Sequence, residues 1–99
     1  MTIYNNDAAS DIITVCISTW DPGESCDWYD ILPPLSQSWD RPFDNRGYIL
    51  ATSVNYRGGP RTSTFLITGG VDIYLKMAVQ DPPKVSAQYA DGTWVMELS

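Results

Sequence analysis

Ninety-nine residues with 43% hydrophobic and 12% aromatic side chains make one domain, 1–99, with enough apolar material for a single modest core. Twelve acidic residues against six basic ones leave a net charge of −6, which opposes nucleic acid and anionic lipid, both of which are bound through Lys and Arg. The chain has no histidine and two cysteines, so the usual general base is missing and a four-ligand structural zinc site cannot be assembled.

The first residues, Met1-Thr2-Ile3-Tyr4-Asn5-Asn6, have neither a basic start nor an apolar run. No signal peptide is read here, and the expectation is a cytoplasmic product, with a mature secreted form left open. Thr2–Asn5 is expected as an edge strand. In 12–20, Ile13, Val15 and Ile17 alternate with Thr14, Cys16 and Ser18, the period of a half-buried strand. A Pro-Gly turn at 21–24 leads to a short strand around Trp28–Ile31, which Pro33-Pro34 ends, because neither proline can donate to a ladder.

Tyr48–Tyr56 and Arg61–Thr68 read as a hairpin turning through Arg57-Gly58-Gly59-Pro60, and Gly69-Gly70 is expected to join the second strand to a third over 71–79. One face of that three-stranded unit would gather Leu50, Val54, Phe65, Ile67 and Tyr74. The other would gather Ile49, Ala51, Leu66, Ile73, Leu75 and Met77. Apolar residues on both faces call for cover on both sides, by a second sheet, the chain termini or a second copy in a homodimer. The last hairpin turns at Asp91-Gly92, a two-residue signal that sets Tyr89 against Trp94, Ala87 against Met96 and Val85 against Leu98 on one face. Turns recur at roughly eight- to twelve-residue intervals and no segment shows a helical period. The expected fold is therefore all-β, a small antiparallel sandwich of about seven or eight short strands.

The cysteine pairing depends on the turn before Trp28. A five-residue loop sets Cys16 opposite Cys26, where a disulfide would fit, whereas a three-residue loop sets Cys16 against Trp28. Two free thiols are the alternative, favoured by a reducing compartment.

Residues 20–30 hold three aromatics and four carboxylates, and a second mixed cluster occupies 38–46. A sugar offers an apolar C–H face and a rim of hydroxyls, so its site needs an aromatic platform ringed by fixed donors and acceptors. Trp20, Trp28, Trp39, Asp40, Asn45 and Arg46 supply those types on or near turns, and they are the candidate ligand-binding residues. Each Trp has an alternative role as a core anchor. Asp21, Glu24 and Asp27 could offer oxygen to calcium but match no EF-hand spacing, so no metal or other cofactor is assigned. Asp27 and Asp30, three apart on a strand, would point to opposite faces and could not share a substrate as acid and base; the chain is not expected to be an enzyme.

The segments Thr2-Ile-Tyr-Asn-Asn6, Asp11-Ile-Ile-Thr-Val-Cys-Ile-Ser-Thr-Trp20, Trp28-Tyr-Asp-Ile-Leu-Pro-Pro34 and Ser36-Gln-Ser-Trp-Asp-Arg41 resemble small fungal all-β defence proteins, namely mushroom lectins and aegerolysin-like or actinoporin-like sandwiches. The resemblance implies a protein that recognises glycans or lipids on attackers. The leading expectation is a lectin binding glycans of glycoproteins or glycolipids. Binding of a membrane surface, with exposed aromatics at the interface, is the second, and a protein-binding module or inhibitor the third.

Overall fold

A computed structural model describes residues 1–6, 12–19, 27–56, 59–78 and 84–98. Among them there is no helix, and nine strands form two sheets. The strands are β1 (Thr2–Asn5), β2 (Ile13–Ser18), β3 (Tyr29–Ile31), β4 (Ser36–Ser38), β5 (Tyr48–Tyr56), β6 (Gly59–Ile67), β7 (Ile73–Ala78), β8 (Lys84–Tyr89) and β9 (Met96–Leu98). A four-stranded sheet runs β4-β1-β7-β8 and a five-stranded sheet runs β3-β2-β5-β6-β9.

The two sheets bury one core between them. Ile13, Val15, Ile17, Leu50, Val54, Phe65 and Ile67 come from the five-stranded sheet; Ile3, Ile73, Leu75, Val85 and Ala87 come from the other. These are the every-second residues of their strands, as alternation across a pleat requires. Asn5 is also fully buried; its side-chain amide donates to the Ile31 carbonyl at 2.7 Å and so ties β1 to β3 across the layers. Burying that amide is tolerable because it is hydrogen-bonded.

Three expectations from the sequence are corrected. First, Thr2–Asn5 is not an edge. β1 lies inside its sheet, antiparallel to β4 and parallel to β7, a long-range pairing with no local turn to announce it. Second, β6 and β7 do not form a hairpin. The chain passes at Gly69-Gly70 from the five-stranded sheet to the four-stranded one, where β7 pairs with β1 and β8. Ile73 and Leu75 therefore join Leu50 and Phe65 in the core, and Tyr74 points out.

Third, the last hairpin slips by one residue. Gly92 takes φ +92° and closes a three-residue loop, with Gly92 N–H donating to the Tyr89 carbonyl and Tyr89 N–H to the Thr93 carbonyl. This is the type I turn plus left-handed glycine of three-residue hairpins. A one-residue slip exchanges the faces of every following side chain. Val95 becomes buried, Trp94 is left 61% exposed, and 96–98 departs to pair with β6. We expect Trp94→Ser to change stability by less than about 0.5 kcal/mol and Val95→Asp to cost about 2 kcal/mol or more, by burying a carboxylate. Urea titration of both variants checks it; the opposite order would restore the two-residue register.

On the outer face of the five-stranded sheet, Cys16 is only 4% exposed and is disulfide-bonded. The other cysteine, Cys26, lies outside the described residues.

Candidate functional site

Of the six candidate residues, Trp20 lies outside the described residues, as do Asp21 and Glu24. Trp28 is 49% exposed at the β3 edge. Trp39, after β4, is half-buried: it packs against the core and meets the Tyr29 ring edge-on, with centroids 5.8 Å apart and planes at 78°. Trp39 thus meets Tyr29, not Trp28, at the β3/β4 edge, and most of the Trp39 surface is spent on packing.

Asp40, Asn45 and Arg46 lie exposed on the segment that crosses one end of the sandwich toward β5. This segment is tied to the β6–β7 turn by Gly70 N–H donating to the Arg41 carbonyl at 2.8 Å, and the Tyr48 hydroxyl donates to the Pro42 carbonyl at 2.9 Å. The Asp44 carboxylate accepts the Arg46 backbone N–H at 2.8 Å and its Nε at 3.4 Å, so the guanidinium is turned onto its own turn.

That N–H, and then the Arg46 side chain, hold Asp44 below the ordinary 3.8. The Thr93 N–H does the same for Asp91 in the hairpin turn. A depressed folded pKa gives stability that is present above the ordinary value and lost as pH falls through it. Since the chain has no histidine, we expect thermal midpoints to be level from about pH 8 to 5 and to decline below about 4. Asp44→Asn and Asp91→Asn should each blunt the decline in circular-dichroism melts, and a step near pH 6 would contradict the assignment.

Two concavities among the described residues bear on a binding site. One, of about 470 Å³, lies at the end of the sandwich between Gly70, Val71, Asp72, Tyr89 and Asp91. Its polar groups each have a protein partner: Asp72 Oδ1 accepts Thr2 N–H, Asp91 Oδ1 accepts Thr93 N–H, and the Tyr89 hydroxyl accepts Thr68 N–H; among the described residues no stacked ring pair stands beside them.

The other, of about 350 Å³, is a groove on the outer face of the four-stranded sheet, lined by Asn6, Tyr74, Lys76, Ser86, Gln88 and Gly92 among others. Its construction follows from register. Tyr4, Tyr74 and Gln88 are cross-strand partners, as are Lys76 and Ser86, so all five point outward on neighbouring strands. The Tyr4 and Tyr74 rings stack with centroids 4.8 Å apart and planes at 12°. That is the spacing between adjacent strands, so the rings stand upright on the sheet. Tyr4 covers one face of Tyr74 and leaves the opposite face toward β8 and the groove.

The polar groups around that ring are fixed. The Gln88 amide donates to the Gly92 carbonyl at 2.9 Å, which directs its oxygen outward as an acceptor. The Ser86 hydroxyl donates to the Lys76 carbonyl at 3.2 Å and keeps its lone pairs free to accept. Asn6 is anchored by its N–H on the Leu75 carbonyl at 2.8 Å, and the Lys76 side chain is exposed. Sequence reasoning missed this groove because it turned Tyr74 inward with Phe65. The signal was nonetheless there, in Tyr74 and Lys76 alternating with Ile73, Leu75 and Met77, and Ser86 and Gln88 with Val85 and Ala87.

The fold and the groove define a small β-sandwich with one polar, aromatic-walled open face. No family model, curated protein or solved structure matches the chain.

Proposed function

We propose that this is a non-catalytic carbohydrate-binding domain, lectin-like in its chemistry, whose binding surface is the outer groove of the four-stranded sheet. The observation that carries this reading is the upright Tyr74 ring, braced from behind by Tyr4, with the Gln88 and Ser86 oxygens held beside it. A pyranose lays its C–H face on the ring and exchanges hydroxyl hydrogen bonds with Gln88, Ser86, Lys76 and Asn6. About 350 Å³ is at the lower end of the ~300–1,000 Å³ of ligand pockets and suits a short saccharide. Trp28, Asp40 and Asn45 remain exposed elsewhere on the surface and are the alternative place for the same ligand class.

A membrane-surface role is less well supported. The exposed apolar side chains fall at three places: Ile12, Trp28, Tyr29, Leu32 and Leu35 around the β3/β4 edge, Phe43 and Val71 at the end beside Gly70, and Trp94 and Met96 toward the β8/β9 edge. An interface anchor needs them on one patch.

A glycan array probed with the labelled chain, with and without EDTA, tests the reading. Selective binding to a few related glycans, unchanged by EDTA, is expected. A blank array would remove the carbohydrate assignment.

A further inference from the structure

Charge is distributed unevenly over this chain. Acidic residues outnumber basic ones twelve to six overall. Yet none of the described side chains that the four strands of the β4-β1-β7-β8 sheet point outward is acidic; they are Ser, Thr, Tyr, Gln and Lys. Two of them are lysines. Lys84, at the far end, is ion-paired with Glu97, its Nζ 2.7 Å from Oε1. Lys76 lines the groove and has no acidic partner among the described residues. It stands two residues along β7 from Tyr74, on the same face, about 7 Å away at ~3.3 Å per residue. That separation puts the Lys76 ammonium within reach of the edge of the stacking ring, where a substituent of a stacked pyranose would project.

We infer that the groove selects saccharides carrying an anionic substituent, a carboxylate or a sulfate ester, with Lys76 as the counter-charge. The inference rests on the carbohydrate reading above and names its ligand class. The chain's net charge of −6 does not forbid it, because charges beyond about 8 Å are largely screened at physiological ionic strength, and none of the described residues that line the groove carries a carboxylate. A hydrogen bond between ions is about twice as strong as one between neutral groups, so Lys76 should distinguish an acidic sugar from its neutral counterpart.

Two matched pairs test it by NMR titration: methyl β-glucuronide against methyl β-glucoside, and galactose 6-sulfate against galactose. Wild type should bind the charged member of at least one pair about three- to tenfold more tightly, by the greater strength of a charge-assisted hydrogen bond. Lys76→Gln should erase that preference, bringing the charged sugar's affinity to that of its neutral partner, and Lys76→Arg should retain it. Equal affinities in wild type, or a preference that survives in Lys76→Gln, would overturn the inference and leave the carbohydrate reading standing. No binding of any of the four sugars, together with a blank glycan array, would overturn both.

Discussion

Gly69→Ala should destabilise the chain by about 3 kcal/mol or more, the upper range for overpacking a buried site. A Cβ there would lie 2.2 Å from the Pro42 carbonyl oxygen, 2.7 Å from that of Arg41 and 2.6 Å from Tyr48 Cε2. Neither carbonyl can retreat cheaply. Arg41's accepts the Gly70 N–H and Pro42's accepts the Tyr48 hydroxyl, so moving them breaks the bonds that hold the 39–47 segment to the β6–β7 turn. For a domain this small, each kcal/mol lowers the midpoint by roughly 4–8 °C, so the loss should exceed about 12 °C. Gly59→Ala is the control: nothing lies within 4 Å of its added Cβ, and its midpoint should move by no more than a few degrees. Similar midpoints for the two variants would mean that the end segment does not pack on the turn as described.

The second large effect falls on binding. Tyr74→Ala removes the wall of the groove and should weaken the best array glycan at least about tenfold, since one stacked ring contributes ~0.5–1.5 kcal/mol beyond its buried area and 1.4 kcal/mol is tenfold. Tyr74→Phe keeps the ring and its stack on Tyr4, so its affinity should stay within about threefold of wild type. Tyr74 is on the outer face, partly exposed, so both variants should keep a cooperative melt. Trp28→Ala serves as the comparison at the other candidate surface. If Trp28→Ala abolishes binding and Tyr74→Ala does not, the sugar sits at the β3/β4 edge.

How far the fold could be read in advance depended on the range of each contact. The β2 alternation of Ile13, Val15 and Ile17 and the existence of the β5–β6 hairpin were legible, because a strand's period and a hairpin's turn are local signals; the turn was read two residues too long, since Gly59 and Pro60 belong to β6 and pair with Tyr56 and Asn55. The parallel pairing of β1 with β7 was not: it joins Tyr4 to Tyr74 across most of the chain, and no turn residue marks it. Gly69-Gly70 looked like a hairpin turn, but the structure uses Gly69 for close approach to the Arg41 and Pro42 carbonyls while the chain changes sheets. Asp91-Gly92 likewise gave the place of a turn but not its length, and one residue of loop decided whether Trp94 or Val95 went inside.

The same distinction governs the candidate site. Aromatic and acidic richness drew attention to Trp28, Trp39 and 40–46, yet composition does not say how much of a ring is left over after packing. Trp39 is largely committed to Tyr29 and the core, and Arg46 to Asp44. The groove depends instead on three strands coming side by side with Tyr74, Lys76, Ser86 and Gln88 outward, which becomes visible only once β7 is placed between β1 and β8.

The most direct test of the carbohydrate reading is a two-dimensional amide NMR titration of the full chain with the strongest array glycan. We expect saturable shifts at Tyr74, Lys76, Ser86, Gln88 and Gly92, with the amides of Trp28 and of 39–47 left in place. Shifts confined to Trp28 and the 39–47 segment, or no shifts at all, would contradict it.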